Sequence, residues 1–182
     1  MFEIALLRHV CLLALAVVCA YTDLARGRLY NVVTLGGLAV GLALAYLLDA
    51  KSPGWPHLKG ALLAVVAGGG ILLLIHLLGG LGAGDVKLMA AVGALAPFDA
   101  RGSSWPFVLT ALMFTALVGA AIAIGILIWQ RRLLRGLKDS ARALFTFRAK
   151  KPEGGPATTV PYGLAIAVGT MWAWLEIVAF TH

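Results

Sequence analysis

Six apolar runs, separated by polar breaks, organise the chain. They cover residues 4–21, 30–48, 58–78, 86–98, 105–129 and 160–180. The first is interrupted by Arg8 and His9, the third carries His76, and the last carries Glu176 near its end. Five of the six approach or exceed the roughly 20 residues that carry a helix across a bilayer. The fourth is too short for that. It is expected to be a partial helix packed among its neighbours, or one that starts deeper in the membrane. The pattern predicts an all-α, polytopic membrane protein: a bundle of about six transmembrane helices with a short fourth helix, forming a single domain over 1–182. The first run reads as a retained helix and not a signal peptide. Glu3 makes the start less basic than a signal's first region, and Val18 is a poor small residue for a cleavage site.

Composition agrees with lipid as the solvent. Hydrophobic residues make up 61% of the chain and charged residues 13%, and the mean hydropathy is +0.93. Ordinary soluble domains carry roughly a quarter charged residues, and a water-soluble core of this size could not hide so much apolar surface. The net charge of +7 does not point to nucleic acid, because the basic residues fall in the gaps between apolar runs, where they set orientation. With the chain's start outside, Arg26, Arg28, Lys87, Arg131, Arg132, Arg135, Lys138, Arg142, Arg148, Lys150 and Lys151 lie on the cytoplasmic side, and only Arg8, Lys51, Lys59 and Arg101 on the outer side. Both termini are therefore expected outside. Trp55, Trp105 and Trp129 sit near the expected interfaces, as aromatic belts do.

The one long polar stretch, 130–159, holds eight Lys/Arg and reads as a basic cytoplasmic loop lying on anionic lipid, with 133–147 as an amphipathic surface helix. A dock for a partner is the alternative. Cys11 and Cys19 lie within the first run without the clustered thiolates and histidines that zinc needs. They read as small buried apolar residues, and neither a metal nor a cofactor is expected.

Besides Glu176 in the last run, seven acids remain to be placed. Glu3, Asp49, Asp99, Asp139 and Glu153 fall at the amino terminus or in loops and read as solvated groups. Asp23, closing the first helix, and Asp85, opening the fourth, are expected at one membrane depth, at the cytoplasmic face. Ionisable groups at such a depth tend to mark function. Each alone also reads as an interfacial carboxylate satisfied by Arg26, Arg28 or Lys87. The setting of Asp85 adds weight, since Gly79, Gly80, Gly82 and Gly84 precede it. Irregular backbone at membrane depth is tolerated where it lines a cavity or water. Two carboxylates facing one cavity resist joint ionisation and share a proton. The ionised member then takes a proton from water while the protonated one polarises a carbonyl. There is no nucleophile elbow, no His-Glu-x-x-His and no phosphate loop to support other chemistry. His9, His57, His76 and His182 are scattered and read as structural or interfacial.

The stretch Gly82-Ala83-Gly84-Asp85-Val86-Lys87, with the Ala/Gly-rich segment to Ala94, resembles the second active-site segment of the type IV prepilin peptidases. Asp23 to Thr34 resembles the first: an acid, then Arg26 and Arg28, then Asn31, with Tyr30 where the family usually has proline. Pro161-Tyr162-Gly163 resembles the Pro-aromatic-Gly that opens these enzymes' last helix. The resemblance implies that Asp23 and Asp85 are catalytic aspartates and that Gly82, Gly84 and Lys87 form the active-site loop. It implies cleavage of a prepilin leader, typically after a glycine, at the cytoplasmic face of the bacterial inner membrane. The short form resembles members that serve tight-adherence (Flp-type) pili, without a methyltransferase region. From the residues themselves, Lys87 is either a topological anchor or a cation that favours the ionised acid of the pair. Arg26 and Arg28 are candidate substrate contacts, and Asn31 either binds substrate or, preferentially, caps the second helix. The alternatives are a related peptidase acting on a preflagellin-like substrate, and a non-enzymatic transporter or pilus-assembly subunit.

Overall fold

The structure, a computed structural model, describes residues 2–50, 54–79, 81–98, 104–129 and 161–180. The basic loop 130–159, with its expected surface helix, lies outside the described residues. Among these residues are six helices and no strands: α1 (Phe2–Arg26), α2 (Asn31–Asp49), α3 (Pro56–Leu77), α4 (Ala83–Leu95), α5 (Trp105–Trp129) and α6 (Tyr162–Phe180). α1, α2, α3 and α5 are long and apolar enough to cross a membrane, and Tyr162–Ile177 of α6 is a shorter apolar helix. The chain is an all-α, multi-pass membrane protein.

The helix ends follow local chemistry. α1 outlasts its apolar run by a turn and stops at Gly27, whose φ of 59° gives a left-handed C-terminal glycine, with its N–H bonded to the Asp23 carbonyl at 2.8 Å. α3 starts on Pro56, whose missing N–H costs nothing at a first helical position. α2 starts at Asn31 with Tyr30 at the cap position and no side-chain cap bond. The expected cap by Asn31 is thus corrected: Asn31 is already inside the helix, and its amide is engaged elsewhere.

α4 is the centre of the bundle. Its 13 residues extend about 20 Å at ~1.5 Å per residue, short of a ~30 Å hydrocarbon layer. Leu88, Met89, Ala91, Val92, Ala94 and Leu95 are all buried, and α4 packs against every other helix. Close approach is bought with missing side chains: a Cβ on Gly93 would lie 2.6 Å from the Ala64 carbonyl oxygen of α3, and one on Gly41 of α2 would lie 2.6 Å from the Ala94 carbonyl carbon. Small residues at such crossings are the usual means of packing helices in lipid. The outer faces instead present Leu6, Val10, Val17, Leu63, Val66 and Leu117.

Two charged residues sit differently from expectation. Asp49 is buried and not solvated. Its carboxylate accepts from the backbone N–H groups of His57 (3.1 Å) and Leu58 (2.7 Å), and its Oδ1 lies 2.7 Å from His57 Nδ1. It thereby satisfies donors left free at the start of α3. Arg8, assigned to the outer side by topology, is 1% exposed and lies within the bundle.

Candidate active site

The antiparallel course of the helices puts the C-terminal ends of α1 and α3 and the N-terminal ends of α2, α4 and α6 at one end of the bundle. Asp23 is in the last turn of α1 and half-buried. Its Oδ2 accepts the Leu164 N–H at 2.9 Å, one of the free donors in the first turn of α6. Asp85 is the third residue of α4 and 8% exposed. Its Oδ2 accepts the Gly82 N–H at 3.1 Å, and its place near a helix N-terminus favours a negative charge. In each acid the other oxygen, Oδ1, takes no hydrogen bond from the described residues.

The two acids lie within electrostatic reach of one another. Leu29, in the connection between α1 and α2, packs against the glycines that flank both. A Cβ built on Gly163 would lie 2.9 Å from Asp23 Cγ and 3.0 Å from Leu29 Cδ2, and one on Gly84 would lie 3.2 Å from Leu29 Cβ. Gly163 therefore leaves room for the Asp23 carboxyl, and Gly84 lets the turn before Asp85 close on Leu29.

The remaining sequence candidates fall around this pair. Lys87 donates to Asn31 Oδ1 at 2.9 Å, tying the first turn of α4 to the first turn of α2. Arg26 donates to the Tyr30 hydroxyl at 2.6 Å and lies 5.7 Å from that ring's centroid, so Tyr30 ties the connection to α2 back to the last turn of α1. Arg26 and Arg28 are exposed at the same end. Gly82 is exposed, and its N–H is the one bonded to Asp85.

Three further groups complete the surroundings: His76, which the sequence reads as structural or interfacial, and Leu29 and the Leu164 N–H, to which it gives no role. His76 Nδ1 lies 2.7 Å from the Leu81 carbonyl, bracing the turn that leads into Gly82. Its position one turn before the glycine run was a usable signal. Leu29 gave only a generic apolar signal. The Leu164 N–H gave none, since it lies 141 positions from Asp23. A cavity of about 490 Å³ opens between α3, α5 and α6, lined by Ile75, Leu81, Ala116, Gly119, Tyr162 and Ile166 among others, and neither acid lines it. Among the described residues no group of three or more His, Cys, Asp or Glu is arranged to hold a metal ion.

Residues 10–124 match the family model described as the type IV leader peptidase family. The match runs from α1 to α5 and includes Asp23 and Asp85; Gly163 and Leu164, which pack on and bond to Asp23, lie beyond it. No curated protein and no solved structure matches the chain.

Proposed function

From the premise that this chain belongs to the type IV leader peptidase family, and so is a peptidase, we propose that it is an aspartic endopeptidase. Its substrate is a prepilin of the Flp type, and its catalytic groups are the carboxyls of Asp23 and Asp85. The reading is supported above all by the convergence of these two acids from separate helices, each with one oxygen held by a backbone N–H and the other uncommitted.

One proton shared between the two carboxyls makes one member a base and the other an acid. The ionised carboxylate takes a proton from a water held between them, and the oxygen of that water forms a bond to the scissile carbonyl carbon. The protonated carboxyl gives its proton to the carbonyl oxygen. The resulting tetrahedral diol collapses as the C–N bond breaks. The departing nitrogen receives a proton from the carboxyl that first acted as base, a diol hydroxyl gives its proton to the other carboxylate as the carbonyl re-forms, and the pair returns to its starting state. The backbone N–H bonds on each Oδ2 hold the carboxyls in place before substrate arrives. The apolar cavity between α3, α5 and α6, whose lining includes Leu81 and Tyr162, suits a substrate with an apolar segment. The active site is assigned to the cytoplasmic face of the inner membrane, with both termini outside.

The test is incubation of membranes containing the protein with a candidate prepilin, read by intact mass of the product. A pilin shortened by its leader is expected, and EDTA is expected to leave the rate unchanged, because the chemistry runs through carboxyls alone. Cleavage of a preflagellin-like substrate with the prepilin left intact would reassign the substrate. No cleavage of any such protein would sink the enzymatic reading.

A further inference from the structure

Arg8 is a charged side chain with no carboxylate partner among the described residues, enclosed within the bundle. Its Nη1 donates to the Gly41 carbonyl of α2 at 3.0 Å, and its Nη2 donates to the carbonyls of Ala94 at 2.9 Å and Ala96 at 2.7 Å. The Phe98 ring centroid lies 4.0 Å from the guanidinium carbon, a cation–π contact. Ser104 adds a second donor to the Ala96 carbonyl at 3.2 Å. Only Nε lacks a partner.

These carbonyls need donors because of how α4 ends. The helix stops at Leu95, and Ala94, Leu95 and Ala96 are all buried. The last carbonyls of a helix have no partner in the helix itself, and here water does not reach them. A cation suits that negative end of the helix. A guanidinium also offers its donors in a planar fork, which one ammonium cannot reproduce.

The position of this contact carries more than the cap. Arg8 belongs to α1, which bears Asp23 near its other end. Ala94 closes α4, which bears Asp85 near its other end. Neither acid bonds to the other's helix: Asp23 is held by α6 and Asp85 by its own turn. Among the described residues, the side-chain hydrogen bonds joining α1 to α4 are those of Arg8. A slip of one residue along α4 is ~1.5 Å and a rotation of ~100°. A displacement of about 1 Å can cost on the order of 100-fold in rate.

We infer that Arg8 is a positioning residue of the dyad, whose guanidinium fixes the register of α4 against α1 and thereby the approach of Asp85 to Asp23. The inference rests on the dyad reading. Arg8 lies at the end of the bundle away from the candidate site, so it acts on the turnover step and not on substrate affinity.

Two variants and two readouts test it. Arg8→Met keeps the stem without donors, and Arg8→Lys keeps the charge without the fork. At equal amounts of membrane-inserted protein, prepilin cleavage by Arg8→Met is expected to show kcat reduced about 10- to 100-fold with KM unchanged, and Arg8→Lys an intermediate loss. Independently of activity, Asp23→Cys and Asp85→Cys are introduced together, with Cys11→Ala and Cys19→Ala, and joined by a short bifunctional thiol reagent. With Arg8 present the pair is expected to cross-link, and with either Arg8 variant the yield is expected to fall several-fold. Failure to cross-link with Arg8 intact overturns the dyad reading itself. Cross-linking at equal yield with Arg8→Lys and Arg8→Met overturns the role of Arg8 alone, as does unchanged kcat in both. Should Arg8→Met not accumulate in the membrane, Arg8→Lys decides by the same two readouts.

Discussion

Asp23 and Asp85 each occupy a place that elementary helix chemistry favours: one bonded to the free N–H of Leu164 at the start of α6, the other bonded to Gly82 in its own first turn. The same bonds make the site sensitive to its smallest residues. A methyl group on Gly163 would fall 2.9 Å from Asp23 Cγ, so Gly163→Ala is expected to lower cleavage about 100-fold by moving the carboxyl, with membrane insertion unchanged on an immunoblot. A wild-type rate in that variant would mean that Asp23 has room to spare and is not held tightly. The proposed mechanism shares one proton between the pair, so the rate is expected to fall on both sides of an optimum. At low pH both acids are protonated and the base is lost; at high pH both are ionised and the acid is lost. A rate measured in lipid across the pH range checks this, and a rate rising monotonically with pH would argue for a single base. Both acids were legible as candidates, because each is an ionisable group at the end of an apolar run, and Asp85 also follows a glycine cluster. Their partners were not. Leu164 contributes a backbone N–H, which carries no residue signature. Asp49 was misread as solvated for the same reason: its partners include the N–H groups of His57 and Leu58.

At the scale of the helices, α4 decides the architecture. Its length and apolar character were legible, and so was its misfit with a bilayer span. What the sequence did not disclose is how closely it is gripped, because Gly41 and Gly93 look like ordinary membrane glycines until the facing backbone is known. Gly93→Ala sets a methyl against the Ala64 carbonyl at 2.6 Å. Overpacking of that kind costs about 1–3 kcal/mol, and a lower midpoint of thermal unfolding in detergent is expected. An unchanged midpoint would show that α3 and α4 can part freely. Arg8 was legible only as an interruption. A lone charge in an apolar run has two readings, escape to the interface or satisfaction inside, and the carbonyls that decide between them lie on α2 and at the far end of α4. Lys87 poses a similar choice between topological anchor and electrostatic aid. Its bond to Asn31 makes it a tie between α4 and α2. Asn31→Ala, Lys87→Met and the double variant should therefore lower the rate to a similar, modest extent, and strictly additive losses in that cycle would separate the two residues.

For the molecule as a whole, apolar periodicity and the distribution of basic residues predict a bundle with both ends on the outer side, and the removal of Arg8 from the loop tally leaves the asymmetry larger. Alkaline phosphatase fused after His182 is expected to be active and a cytoplasm-only fluorescent reporter at the same position to be dark; the reverse pattern would invert the topology and place the acids at the outer face. On this account the two ends of the bundle carry separate tasks: at one, Asp23 and Asp85 lie within electrostatic reach of each other, and at the other, Arg8 closes α4. The direct measurement is prepilin processing by Asp23→Asn and by Asp85→Asn, each matched for membrane-inserted protein and read by product mass. Asparagine keeps the shape and removes only the titrating oxygen. Loss of the shortened product in both variants is the expected result. Cleavage at the unaltered rate by either one would contradict a mechanism that needs two carboxyls.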